Sequence, residues 1–503
     1  MSSLAANANA TPTRAVRTNI PARMDRLPWS RWHWLVVIAL GITWILDGLE
    51  VTIVGAIASR LTDPATIHLT TVEVASAGTT YLIGAVLGAL FFGRMTDQLG
   101  RKKLFMITLS VYLVATVLTA FAPNYLWFAV TRFFTGAGIG GEYAAINSAI
   151  DELIPARMRG HVDLAINGSW WVGTAFGALL TVWLLDPAIF AINLGWRLCF
   201  ALGAVLGLAV LLIRRYVPES PRWLMMHGRF EEANEIVGMI EGEVMKDEHL
   251  NALPQPEGYI MVRPTGTVSF RAIARTMLHD YPTRALLGFS LMVGQAFLYN
   301  AIFFTYALVL TTFYHIPAGS VGLYLIPFAV GNFCGPLLLG RLFDSIGRRQ
   351  MIAGTYILSG VLLTITGWLF VAGVLNAVTQ TIAWSVIFFF ASAGASAAYL
   401  TVSEVFPLEV RAMAIALFYA IGTGVGGALA PVVFGALIAS GKSVNVFYGY
   451  LFGAALMIAA GIVAAVFGVK AERQSLEAVA KPLSVTDVEL GPAAGEAQGA
   501  ATA

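Results

Sequence analysis

Apolar segments about 20 residues long recur twelve times along this chain, and no other feature limits its fold as strongly. They fall at 34–58, 76–95, 104–122, 126–150, 162–185, 196–216, 284–312, 318–340, 351–372, 379–402, 412–438 and 445–469. Each matches the hydrocarbon thickness of a bilayer, where helices satisfy their own backbone hydrogen bonds. The chain therefore reads as an all-α integral membrane protein with twelve spans. Of its 503 residues 57% are hydrophobic and only 12% charged, whereas soluble domains carry about 25% charged residues. The net charge of +2 and the lack of a basic stripe with interleaved aromatics exclude nucleic acid as a partner. Cys199 and Cys334 lie inside apolar runs and read as small core hydrophobes, with no disulfide and no metal. His161, His227, His279 and His315 are scattered at loops and segment ends. No nucleophile, metal cluster or paired acids with supporting groups argue for an enzyme or a cofactor.

Six spans, within 34–216, precede a polar stretch at 217–283, and six more lie within 284–469. Residues 1–33 carry five arginines and read as a disordered basic arm with no cleaved signal peptide. Residues 470–503 read as a disordered tail. Basic residues concentrate in alternate short loops: Arg101, Lys102 and Lys103, then Arg157 and Arg159, then Arg341, Arg348 and Arg349, then Arg411. By the positive-inside rule both termini and the 217–283 linker are cytoplasmic and the protein sits in the cell membrane.

Two loop motifs occur twice. Gly93-Arg94-Met95-Thr96-Asp97-Gln98-Leu99-Gly100-Arg101-Lys102 recurs 247 residues on as Gly340-Arg341-Leu342-Phe343-Asp344-Ser345-Ile346-Gly347-Arg348-Arg349. Glu152, Pro155 and Arg159 recur 252 residues on as Glu404, Pro407 and Arg411. A generic basic loop explains one such match but not two ordered pairs at nearly constant spacing. The chain resembles the major facilitator superfamily from Trp34 to Val469, which implies two pseudo-symmetric six-helix bundles. Pro218-Glu219-Ser220-Pro221-Arg222-Trp223-Leu224 resembles the sugar porter group, and implies short cytoplasmic helices in the linker. The resemblance implies a cytoplasmic gate made by Asp97, Arg101, Glu152, Arg159, Glu219, Arg222, Asp344, Arg348, Glu404 and Arg411. Within that set Glu152 with Arg159, Glu404 with Arg411 and Glu219 with Arg222 supply carboxylate and cation groups for a breakable lock.

Ionisable side chains at membrane depth are costly and mark function. Asp47 and Glu50 lie in span one, Arg132 and Glu142 in span four. Glu50 lies roughly 12 Å and Arg132 roughly 9 Å from the outer ends of their spans, so the two can pair. Asp47 precedes Glu50 by three residues and can share its face. Glu50 matches the proton-coupling acid of the sugar porters' span one, and Arg132 matches their span-four arginine. Glu50, Asp47 and Arg132 are thus the expected proton-coupling residues, with the proton gradient as energy source. Gln295 and Asn300 match the Q-x-x-x-x-N of the sugar porters' span seven, Asn167 a polar residue of span five, and Tyr399 stands where span ten has Trp. Asn167, Gln295, Asn300, Tyr399 and Arg132 are the expected substrate contacts. Trp170, Trp171, Phe297, Phe303 and Phe304 are candidates for stacking on a ring. Ala395 and Tyr399 break the sugar motif, while Asp47-Gly48 and Gly140-Gly141-Glu142 resemble organic-acid and aromatic-acid proton symporters. The reading is a monomeric proton symporter importing a small organic or aromatic acid. A sugar or polyol symporter is one alternative and a drug or metabolite exporter another, though 162–185 lacks the proline of exporters' span five.

Overall fold

The computed structural model describes residues 15–489, apart from 215, 216, 257, 265–267, 304 and 318–320. Twelve spanning segments are present. Span one is Arg31–Leu61, two Thr71–Leu99, three Arg101–Ala120, four Tyr125–Leu153 and six Ile192–Arg214. Span eight is Val321–Ser345, nine Arg348–Val371, ten Ala377–Glu404 and twelve Ser443–Phe467. The other three are interrupted. Span five is Arg159–Gly168 then Trp170–Leu184, and span seven is Pro282–Phe303 then Tyr306–Tyr314. Span eleven is Arg411–Gly422, a π-helical turn Thr423–Gly427, and Ala428–Ala439. Nine of the described helices are long and apolar enough to cross a membrane by themselves. Span four, which carries Arg132 and Glu142 in its interior, is not among them, and spans five and eleven are split. Some of these bounds run past the apolar runs, as in span two, where the polar cap Thr70 starts the helix at Thr71 and the apolar run begins only at 76.

Small residues decide how closely the spans approach. A Cβ on Gly48 of span one would collide with the Trp170 carbonyl of span five. Gly84 and Gly88 of span two meet the Phe133 and Ala137 carbonyls of span four in the same way, and Gly136 and Gly140 of span four meet the Tyr81 and Ala85 carbonyls of span two. Spans one and two are thereby drawn against the aromatic start of span five and the charged middle of span four. Between the halves, span two packs on span eleven and span five on span eight.

The face carrying the duplicated loops, called the basic face below, holds further structure. Strand β1 (Val16–Thr18) of the arm pairs antiparallel with β2 (Tyr259–Val262) of the linker, which pairs antiparallel with β3 (Val485–Glu489) of the tail. The arm also forms a helix, Ile20–Asp25, that buries Ile20 and Met24. Linker helix Phe230–Asp247 buries Ala233, Val237, Ile240 and Val244, one stripe of an amphipathic helix. The expectation of a disordered arm and tail is therefore corrected for 15–33 and 470–489. Neither has apolar periodicity of its own, and each pairs with the linker strand. Residues 1–14 and 490–503 lie outside the described residues.

Candidate functional site

A cavity of about 210 Å³ lies between the two bundles. Its polar groups come from both. Asp47, Tyr81, Tyr143 and Asn167 face it from the N-terminal half, and Gln295, Asn300, Tyr399 and Tyr419 from the C-terminal half. Thr423 lines it at the π turn of span eleven, a distortion that recurs at functional sites. Of the expected substrate contacts, Asn167, Gln295, Asn300 and Tyr399 reach the cavity. Trp170, Trp171 and Phe303 line it too, whereas Phe297 packs on Phe434 and Phe452, away from the cavity wall. Phe304 lies outside the described residues.

Asp47 is the sole charged group on this wall among the described residues. The Tyr143 hydroxyl donates to its Oδ2, the Trp170 Nε1–H donates to the same oxygen at 2.8 Å, and the Tyr81 hydroxyl lies 3.4 Å from Oδ1. The rings around it are coupled: Tyr143 stacks on Tyr419 with centroids 4.5 Å apart and meets Trp44 edge-on at 4.4 Å. Three neutral donors converge on one carboxylate, so the charge is held by groups that give hydrogen bonds but no opposite charge.

Arg132 does not reach the cavity, which corrects its assignment as a substrate contact. It forms a buried ion pair with Glu50, the two residues being 1% and 0% exposed. The guanidinium lies 5.0 Å from the Tyr81 ring and 5.6 Å from the Phe200 ring. Sequence depth brought Glu50 and Arg132 together but could not show that the pair turns away from the bundle interface. Tyr81 was missed. Its hydroxyl faces Asp47 while its ring covers Arg132, so it joins the cavity carboxylate to the buried pair. Glu142 meets Arg214 at 3.4 Å, and Arg214 also donates to the Thr43 hydroxyl. Arg214 is the last residue of the span-six helix.

On the basic face the ion pairs cross between halves. Arg101 pairs with Glu152 at 2.7 Å, and Arg348 with Glu404 at 3.0 Å, inside each half. Arg159 then reaches Glu404 and Arg411 reaches Glu152, each at 3.6 Å, from the opposite half. The duplicated aspartates cross as well. Asp97 accepts from the Met413 backbone N–H at the start of span eleven, at 3.2 Å. Asp344 accepts from the His161 backbone N–H at the start of span five, at 2.7 Å. Each carboxylate thus caps a helix N-terminus of the other bundle. Glu152 with Arg159 and Glu404 with Arg411 are therefore not local partners, as their spacing suggests, but exchanged ones. Glu219 and Arg222 do not pair either. Glu219 accepts from the Arg101 backbone N–H at 2.8 Å and caps span three. Burial pushes its carboxyl above the usual carboxylate range, against the pull of those backbone donors and Arg101. Arg222 binds Glu477 of the tail at 2.7 Å and Asp25 of the arm at 2.9 Å.

Residues 15–482 match the family described as sugar (and other) transporters. This chain belongs to that family. The transporter is 28% identical over 421 residues to a niacin transporter of Acinetobacter baylyi, covering 82% of this chain and 89% of that protein. It is 24% identical over 459 residues to organic cation/carnitine transporter 7 of Arabidopsis thaliana, covering 83% and 88%. Among solved structures, the proton:xylose symporter XylE bound to a bromodeoxyglucose superposes with a TM-score of 0.72 at 17% identity, over 89% of this chain and 98% of that one. A partially occluded inward-open XylE of E. coli superposes at 0.61 with 18% identity, over 86% and 97%. The chain is thus a multi-pass membrane transporter of the major facilitator superfamily, of the sugar-porter type that carries small metabolites, and not an enzyme.

Proposed function

We propose that this transporter imports a small aromatic acid together with protons, by alternating access, with its basic face in the cytoplasm. The observation that carries the reading is the cavity wall: one carboxylate, Asp47, set among tryptophan and tyrosine side chains and faced by three amides. A cavity of about 210 Å³ is smaller than the roughly 300–1,000 Å³ of drug-sized sites, which favours a single small ring. The rings offer edge and face contacts to a flat substrate. An ionised Asp47 repels an anion in this low-dielectric setting, and a proton on it removes the repulsion. Proton and carboxylate then bind as a nearly neutral pair. Glu50 and Arg132, joined to Asp47 through Tyr81, form the second part of the switch, because protonating Glu50 frees the arginine charge. The niacin transporter among the relatives supports a ring carboxylate. The crossed ion pairs, and the poorer superposition on the inward-open symporter, support a state closed on the basic face.

The test is a thermal-shift and competition screen on purified protein, with nicotinate-like acids, hexoses and quaternary amines as probes. Ligands that bind the folded state raise its apparent stability. Ring acids should stabilise the protein more strongly as pH falls, and Asp47→Asn should bind them with little pH dependence. Stabilisation by hexoses alone, or by amines alone with affinity rising as pH rises, overturns the acid reading.

A further inference from the structure

The buried cluster on the basic face contains more negative charge than its arginines balance. Arg101, Arg159, Arg348 and Arg411 are buried there with the carboxylates of Asp97, Glu152, Asp344 and Glu404, which the ion pairs account for. Two further carboxylates share the same interior. Asp151 ends span four and Asp163 lies in the first turns of span five, both 0% exposed. None of their four side-chain oxygens has a hydrogen-bond donor among the described residues. Asp151 is faced by Glu404, Arg159, Arg411 and Ser403, and Asp163 by Asp151, Glu404, Arg348 and Asn167. The guanidinium groups of Arg159 and Arg411 face Asp151 without closing a hydrogen bond to it, and the two neutral donors are engaged elsewhere. The Ser403 hydroxyl donates to the Leu400 carbonyl at 2.8 Å, and the Asn167 amide to the Asp163 carbonyl at 2.9 Å.

These two aspartates stand outside the duplicated framework. The 252-residue offset that relates Glu152 to Glu404 relates Asp151 to Ser403 and Asp163 to Ile415. The C-terminal half builds the same gate with a hydroxyl and an aliphatic side chain at those positions, so closing the gate does not require acids there. A buried carboxylate that closes no hydrogen bond and shares its nearest cations with other acids is costly, and the inexpensive escape is to take a proton. Two such groups side by side share that tendency and titrate as a pair.

We propose that Asp151 and Asp163 form a proton-binding site within the gate. The pair takes up one proton from the cytoplasm as the basic face closes and returns it when the face opens. This rests on the alternating-access reading above, but not on proton coupling through Asp47 and Glu50. The proton enters and leaves on one side, so it adds nothing to the driving force. It makes the gate a sensor. The closed state binds one more proton than the open state, so by linkage closure strengthens as cytoplasmic pH falls. Import of acid with protons would then be slowed by the acidification it causes.

The experiment uses spin labels on two exposed positions at the ends of spans three and eight, Lys103→Cys and Ser345→Cys, with Cys199 and Cys334 replaced by Ser, in lipid nanodiscs. The distance between labels reports opening between the halves. In the otherwise native protein the short-distance population should grow as pH falls. With Asp151→Asn and Asp163→Asn, which remove both charges and the titration with them, the short distance should dominate at every pH. Asp151→Ser with Asp163→Ile, the residues of the C-terminal half, should also remove the pH response. Asp47→Asn should retain it. A double variant that titrates like the native protein, or a native protein whose distances ignore pH, overturns the proposal. A retained pH response in a protein that fails to accumulate any acid against its gradient sinks only the symport reading.

Discussion

The two halves share a gate but not a charge distribution. At their ends each supplies an aspartate that caps a helix of the other, an arginine that crosses, and a glutamate that receives. In their interiors the N-terminal half holds Asp47, Glu50, Arg132 and Glu142. The C-terminal half offers neutral groups, with Tyr299 donating to Asn332 at 2.9 Å and Gln295 and Asn300 facing the cavity. The difference separates two tasks. Motion between bundles is symmetric and was kept in both copies. Charge chemistry needs one set of groups, and a second set would add desolvation cost for no gain. Asp151 and Asp163 extend the same asymmetry into the gate.

Stranding a charge in the N-terminal half should have the strongest effect on the protein. Arg132→Ala leaves Glu50 buried without its partner, a change that costs about 3–5 kcal/mol. The melting temperature of the purified protein should fall markedly, and adding Glu50→Gln should recover much of the loss. By contrast Glu50→Gln alone should keep exchange of solute across the membrane while abolishing pH-driven accumulation in proteoliposomes. Uphill uptake equal to the native protein would remove Glu50 from coupling.

A smaller effect tests the symmetric part. Asp97→Asn and Asp344→Asn each weaken one charge-assisted bond to a backbone N–H, worth about 1.5–3 kcal/mol. Both should slow transport by roughly tenfold or more while leaving ligand affinity within about twofold, because the gate and not the cavity is altered. If the halves are equivalent here, the two variants should match each other. An unchanged transport rate in either removes that aspartate from the gate.

Sequence alone reached the twelve spans and the duplicated loops, because bilayer thickness fixes segment length and the repeats are local. It also paired Glu50 with Arg132, since two opposite charges at one depth have few alternatives in lipid. It failed where the partner lies across the bundle interface. Glu152 looks like a local partner of Arg159, and only the packing of spans two on eleven and five on eight shows the exchange. Arg132 was placed on the cavity because depth says nothing of which way a helix face turns. Asp151, Asp163 and Arg214 were overlooked because they stand at span ends. Asp25 and Glu477, which hold Arg222, lie in segments whose composition suggests no structure.

The smallest expected effect belongs to the neutral half. Asn300 sits on the cavity wall with its amide N–H₂ donating to the Ala296 carbonyl at 2.6 Å, and among the described residues its Oδ1 has no donor, so it can accept from a ligand. Among the described residues Gln295 makes only a long 3.9 Å contact to the Met292 sulfur, so its hydrogen-bonding capacity is open to the cavity it lines. Neutral hydrogen bonds contribute about 0.5–1.5 kcal/mol each, so Gln295→Ala and Asn300→Ala should weaken ligand binding roughly two- to tenfold. Neither removes a titrating group, so the pH dependence of binding should keep its midpoint while affinity drops at every pH. Isothermal titration of both variants across a pH series decides this. A displaced midpoint in Gln295→Ala or Asn300→Ala would mean that the C-terminal half takes part in proton binding, and the division of labour between the halves would fail.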